Sequence, residues 1–395
     1  MFMRKISVLL ILIVIMSSFF VSCDSSKYPP RYYTEGNMNY DVSYYKVNEK
    51  VDIPERVVAM SFGVSESVFA ITESGKVYCW GNNVYGQLGL GHKDPVAGPT
   101  LHPYLENISA IAASLHHTVA LTRDGTVYGF GSNEFGQLST AENEYLTPHT
   151  IEGLSDIIEI AASRKNSYAL TRQGTILCLG DNEFSQLGIK NIPASNTPLE
   201  VSIDAQIVQI SAGRSSVMAM DTEQNVWVFG NDYLGQLGTE KGYGTLIDVP
   251  EISKNKVKAE KVLVSYTYSL MQTVTKELHI VGHRQPDKLM FEEYEWGKTG
   301  ISSFSVMDFD SYLQLIAAKS ERGDLIVWGC SRIPGSIFDE GWQGFGNFDN
   351  MEKIYEIAIA HEDEYTDFFV NNDGVYIVNP QGELYLIWQN IECEK

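Results

Sequence analysis

The side chains able to do chemistry are scattered along this chain rather than assembled. The 395 residues include 50 acidic and 29 basic side chains, eight histidines and five cysteines. His116-His117 is the one adjacent histidine pair. The Gly-x-Ser-x-Gly nucleophile elbow, the full Gly-x-x-x-x-Gly-Lys-Ser/Thr phosphate loop and the His-Glu-x-x-His zinc motif are all absent. No Cys-x-x-Cys pair or Cys/His set has zinc spacing. Cys79 and Cys178 hold the same place in two repeated segments and read as buried apolar groups. Cys330 and Cys393 could in principle meet near the ring closure. These observations predict no catalytic set, no cofactor and no metal. The formal charge of -21 excludes nucleic acid as a partner, because phosphate binding needs a basic surface.

One cysteine has a chemical context. Arg4 and Lys5 precede an almost wholly apolar run from Ile6 to Val21, which ends at Ser22-Cys23. A basic start, a short apolar stretch and a small residue before the cut make a secretory signal peptide. Phe20-Val21-Ser22-Cys23 resembles the lipobox of bacterial lipoproteins, with Phe20 in place of the usual leucine. That resemblance implies cleavage before Cys23, diacylation of its thiol by chains such as palmitate, and a membrane anchor. Two or three acyl chains hold firmly, since each buried CH₂ contributes about 0.8 kcal/mol. Residues 1–22 then form the signal peptide. Residues 23–50, rich in Tyr, Pro, Asn and Ser, form a tether, and residues 51–395 form the folded body.

That body is repetitive. Gly75-Lys-Val-Tyr-Cys-Trp-Gly-Asn-Asn-Val-Tyr-Gly-Gln-Leu-Gly89 is matched by Gly125 to Ser139, Gly174 to Gly188 and Asn225 to Gly238. The residue before the marker glycine falls at Trp80, Phe130, Leu179, Phe229, Val281 and Trp328, at intervals of 50, 49, 50, 52 and 47 residues. The fifth and sixth copies keep the strands and lack the Gly-Gln-Leu-Gly tail. A seventh, Gly382 to Trp388, also lacks it. Each unit holds about four short strand-like stretches, two of them joined by hairpin signals such as Arg123-Asp124-Gly125. No segment carries a capped 3.6-residue apolar period. The pattern predicts an all-β, seven-bladed β-propeller with four antiparallel strands per blade.

The Trp80-Gly-Asn-Asn83 and Gly86-Gln-Leu-Gly89 motifs and the Ala112 to Leu121 run resemble the regulator-of-chromosome-condensation repeat family. The resemblance covers about Val51 onward, and is strongest in the first four copies. It implies a propeller closed by strands from both chain ends, with the start near Val57-Met60 compatible with that. The recurring glycines suit sharp turns, the leucines of the tail would plug between blades, and the glutamines would bond loop backbone. A residue needed in every copy is structural. His117 stands where the family commonly places histidine beside a small hydroxyl residue, which implies a structural hydrogen bond.

Function must then lie where the copies differ. Up-and-down strands bring the first connection of every blade to one face: Ser65-Glu66, Leu115-His116, Arg164-Lys165, Arg214-Ser215, Tyr266-Thr267, Ser311-Tyr312 and about His361-Glu362. This ring changes from basic (Arg164, Lys165, Arg214) through aromatic (Tyr266, Tyr312) to acidic (His361, Glu362). A rigid scaffold with varied loops is a binding design. The last 104 residues hold 20 acidic and 6 basic side chains, a solvating surface or a patch for a basic partner or Ca²⁺. The expectation is a monomeric, membrane-anchored, non-enzymatic scaffold of the bacterial envelope that binds a protein or envelope component. The alternatives are an extracellular inhibitor of an enzyme such as a β-lactamase, a guanine-nucleotide exchange factor-like protein, and an envelope glycan hydrolase or lyase with paired carboxylates.

Overall fold

The computed structural model describes residues 49–63, 66–138, 142–239, 241, 244–253, 258–265, 268–282, 292–293, 301–306, 314–320, 323–330, 357–360, 363–371 and 374–389. Every regular element among them is a β-strand. In the second repeat, Ile108–Ala113, His117–Thr122, Val127–Ser132 and Glu144–Thr150 pair antiparallel in chain order. The Arg123-Asp124-Gly125 hairpin forms as expected: Gly125 takes a φ of 90° and its amide donates to the Thr122 carbonyl at 3.1 Å.

Six blades are built this way, from four consecutive strands each: Val57–Leu101, Ile108–Thr150, Ile157–Glu200, Ile207–Ile252, Ala259–Glu293 and Ile301–Ala360. This corrects the expectation of seven equivalent blades to six. The remaining four-stranded sheet is a composite closure and not another copy of the unit. Asp367–Val370, Gly374–Val378 and Leu384–Gln389 supply three of its strands. The fourth is Glu49–Lys50, from the segment expected to be tether, paired with Leu386 and Tyr385. Val57–Phe62 is not the closing strand; it opens the first blade. The terminal copy supplies only three strands, so the sheet is completed from the other end of the chain, and the first blade is tied to the last.

From the first blade to the fifth, the first strand lies innermost, beside the first strand of its neighbour. These innermost strands carry a recurring bulge at their second residue, seen between Val57/Ala59, Ile108/Ala110, Ile157/Glu159, Ile207/Gln209 and Ala259/Lys261. The bulge sharpens local twist and re-aims side chains. Several then reach the next blade's backbone. Ser61 Oγ accepts from the Ala113 amide at 3.0 Å, Glu159 from Ile210 at 3.1 Å and Ser211 from Val264 at 3.0 Å. Gln209 both accepts from the Val262 amide at 3.1 Å and donates to its carbonyl at 3.2 Å.

Apolar packing fills the seams between blades. Leu88 is fully buried with Phe69 and Cys79 of the first blade and Ile108 and Phe130 of the second, and Leu138 bridges the second and third. Leu187 and Leu237 lie in the cluster that joins the third, fourth and fifth blades. Burying one leucine stabilises by roughly 1.5–3 kcal/mol. At the outer rim, Pro99, Pro148, Pro198 and Pro250 interrupt the fourth strands of blades one to four. A proline there removes a ladder donor and blunts an edge that would otherwise template pairing with another chain.

Candidate functional site

The repeated polar residues are spent on the protein's own backbone. In the tail of the first blade, Asn83 Oδ1 accepts from the Leu88 amide at 2.9 Å, and Gln87 Oε1 accepts from the Tyr85 amide at 2.8 Å. The same pair of bonds recurs at Asn133 and Gln137 and again at Asn182 and Gln186. His117 is fully buried between the hydroxyls of Ser114, at 2.9 Å, and Ser167 of the next blade, at 3.1 Å. Burial first, and then the neighbouring His116, push its pKa down to about 3, so it is a neutral bridge across a seam. Burial raises the thiols of Cys79 and Cys178 to about 12, which leaves them inert. The side chain of Cys330 and the whole of Cys393 lie outside the described residues. Among the described residues no group of three or more His, Cys, Asp or Glu side chains is placed to hold a metal ion, and no helix is long and apolar enough to cross a membrane.

The first connections of blades two to four lie wholly among the described residues and hold equivalent places. Their turns share one bond: the amide of Ser114, Ser163 and Gly213 donates to the carbonyl of His117, Asn166 and Ser216, each at 2.9 Å. Neighbouring turns nearly touch. A Cβ on Gly63 would stand 2.6 Å from the Ser114 carbonyl oxygen, and one on Gly213 would stand 2.5 Å from that of Ser265. Arg164, Lys165 and Arg214 sit on the corresponding turns of blades three and four, each partly exposed. Tyr266, Tyr312, His361 and Glu362 lie outside the described residues, as does Cys23.

Lys165 is held rather than presented. Its Nζ lies 3.3 Å from Asp181 Oδ2, 3.5 Å from Glu183 Oε2 and 4.3 Å from the centroid of the Phe135 ring of the preceding blade. Phe135 belongs to a set that sequence reasoning missed. The third connections of each blade reach the same face, and the residue two before the tail glutamine is Tyr85, Phe135 and Phe184 in the first three copies. Tyr85 packs against His116 of the second blade with ring centroids 4.2 Å apart, and Phe184 meets Tyr233 of the fourth blade edge-on at 6.3 Å. Three successive seams thus carry an aromatic contact at their crest. The signal lay in the tail motif, inside a segment whose recurrence marked it as structural. Burial, and then the nearby Arg164 guanidinium, lower the pKa of His116, so the basic sector of this face is carried by arginine and lysine.

Comparison with known proteins agrees with this architecture. The family model of the regulator of chromosome condensation (RCC1) repeat matches residues 74–121, 124–170 and 173–220, and a second model of the same repeat matches residues 57–87 and 108–137. The ultraviolet-B receptor UVR8 of Arabidopsis thaliana is 32% identical over 200 residues, covering 49% of this chain and 46% of the receptor. The chain thus spans about half the length of that curated relative. Human WBSCR16 superimposes with a TM-score of 0.65 at 15% identity, over 86% of this chain and 88% of that one. The crystal structure of Kap60 bound to yeast RCC1 (Prp20) gives a TM-score of 0.61 at 18% identity, over 89% and 85%. At these identities the likeness to solved structures is one of fold. Between residues 57 and 220, then, the chain matches the RCC1 repeat.

Proposed function

We propose that the protein is a non-enzymatic, lipid-anchored scaffold of the bacterial cell envelope that captures a partner protein on the face formed by the first connections. One observation carries the reading. The residues that recur from blade to blade are consumed by internal hydrogen bonds and seam packing, while the turns held at equivalent places in blades two to four differ from one another. A constant frame with a varied rim is what recognition needs. Yeast RCC1, a neighbour in fold, has been crystallised bound to Kap60, so a propeller of this kind can serve as a protein partner. The apolar leader ending in Cys23 supports export and acylation.

The test is photo-crosslinking in cells, with the probe placed at residue 115 on the ring. Wild type should yield a defined protein adduct. Replacing Arg164, Arg214, Tyr266 and Tyr312 with alanine should abolish it without altering the melt, and Cys23→Ser should release the protein from the membrane fraction. Unchanged crosslinking by the fourfold variant rejects this face, and membrane retention of Cys23→Ser rejects the anchor.

A further inference from the structure

The chain enters the fold from one particular side. Leu384–Gln389 starts just after the Gly382 hairpin, where the Gly382 amide donates to the Asn379 carbonyl at 2.9 Å. Strands alternate in direction, so Leu384–Gln389 runs from the hairpin face towards the face of the first connections. Glu49–Lys50 lies antiparallel to it. Glu49 is opposite Leu386, Lys50 is opposite Tyr385, and the Val51 amide donates to the Leu384 carbonyl at 2.9 Å. The chain thus descends from Glu49, on the first-connection side, to Arg56 on the hairpin side, where a Cβ on Gly382 would stand 3.2 Å from that of Arg56. This descent is fastened along its length. Lys50 pairs with Glu383 at 2.5 Å, Ile53 is buried with Tyr376 and Leu384, and Arg56 donates to Thr366 at 2.9 Å and to Asp367 at 3.1 Å. At Glu49 the backbone therefore points out of the body on the side of the first connections.

We infer that this face is turned towards the membrane that holds the protein, and that its partner is a different protein anchored in or spanning that same membrane. The inference rests on the binding face and the lipid anchor proposed above. Residues 24–48 separate Cys23 from Glu49. A chain of that many residues spans about 30 Å as a coil and about 90 Å at full extension. A span of about 30 Å is the width of a small domain. The net charge of -21 repels anionic lipid, so the lipid surface itself is not the occupant. Nor is a second copy, because two copies on one membrane both turn this face towards the lipid and away from each other. Confinement to one membrane raises the effective concentration of the partner, so a modest contact area suffices.

Orientation is read on vesicles of phosphatidylethanolamine and phosphatidylglycerol that carry the acylated protein and an acceptor dye on lipid. The donor dye is placed at residue 134, on the first-connection face, or at residue 173, on the hairpin face; both positions are exposed. The strands set the two faces about 20 Å apart, so transfer from 134 should exceed that from 173 by about twofold. Adding about 60 Gly/Ser residues to the tether should erase the difference. Cys23→Ser protein given a synthetic lipid at residue 124, on the hairpin face, should reverse it. The partner is read in cells with the crosslinker at residue 115. Wild type should give an adduct whose other half has its own membrane anchor or span, and Cys23→Ser at matched expression should reduce that adduct by about tenfold or more. Equal transfer from the two positions, or stronger transfer from 173, overturns the inference. An adduct between two copies of this chain overturns it too. So does an adduct with a soluble protein, or one that forms as well without the anchor; the binding face then stands, and only the partner's location falls. If residue 115 crosslinks nothing, the face falls and this inference with it, and membrane retention of Cys23→Ser removes the anchor to the same effect.

Discussion

Asp232 occupies the place that Asn83, Asn133 and Asn182 fill in the other well-kept copies. Each asparagine uses its oxygen for the leucine amide of the tail and its nitrogen for loop carbonyls, as Asn182 does with Ile189 and Ile192, both at 2.8 Å. Asp232 keeps the first bond, from the Leu237 amide at 2.8 Å, but has no donor for the second role. Its other oxygen instead accepts from the Thr239 hydroxyl. Burial pushes its pKa up to about 6, against the lowering effects of Thr239 and Leu237. A raised carboxyl pKa contributes stability below the unfolded value near 3.8, and that stability is lost as pH rises through about 6. Asp232→Asn should therefore raise the midpoint of thermal unfolding at pH 8 by several degrees and change it little at pH 4. The cost removed is about 3 kcal/mol at most. A variant no more stable than wild type at pH 8 would show that the carboxylate is solvated there.

At the scale of the element, the blades are locked by a fit between each tail and the next blade. Gly89 has a φ of 70°, and a Cβ there would stand 2.7 Å from the Phe130 ring; Gly188 has a φ of 64° and would meet Phe229 at 2.9 Å. In the second copy serine takes the glycine's place at residue 139, and the next blade offers Leu179 instead of phenylalanine. The sequence thus pairs glycine with phenylalanine in two copies and serine with leucine in the third. Gly89→Ala should cost about 2–3 kcal/mol, from overpacking and from the left-handed backbone. Adding Phe130→Leu should recover about 1–2 kcal/mol of it, read as coupling in a double-mutant cycle by chemical denaturation. Strictly additive effects would mean that the backbone alone sets the cost. The strands, the Asp-Gly hairpins and the seam leucines were legible because each rests on a few consecutive residues. The bonds that Ser61, Glu159 and Gln209 make were not, because their partners lie about 50 residues away in the next blade. Nor was the closing strand, since Glu49–Lys50 is two charged residues with no strand pattern, and its partners stand at the other end of the chain. The arginine sector was legible as spacing; the aromatic crest was not, because its residues sit inside a motif that also builds the turn.

At the scale of the whole molecule, two sets of buried ionisable groups among the described residues pull stability in opposite directions with pH. His102 and His117 have pKa values lowered by burial to about 4 and about 3, and both serve as neutral hydrogen-bonding groups. Their stabilisation is present above the unfolded value near 6.5 and is lost as pH falls towards the folded values. Glu159 and Asp232 are raised by burial to about 7 and about 6, so they contribute most below the unfolded carboxyl values and least above pH 7. Between pH 7 and pH 5 each set is worth roughly 3–4 kcal/mol, with opposite sign. The two sets therefore oppose each other across that range, where either alone would tilt the midpoint. Glu159→Gln with Asp232→Asn should unmask the histidines. Gln209 already shows that an amide at the equivalent position of the next blade bridges to the adjoining strand with two bonds. The double variant should gain stability at pH 7.5 and then lose it steeply on acidification. His117→Asn, which copies Asn166 at the same place in the third blade, should tilt the profile the other way. Thermal melts every half pH unit decide this. A double variant whose profile runs parallel to that of wild type would mean that the two carboxyls titrate as they do in the unfolded chain, and that the seam at Glu159 is open to water.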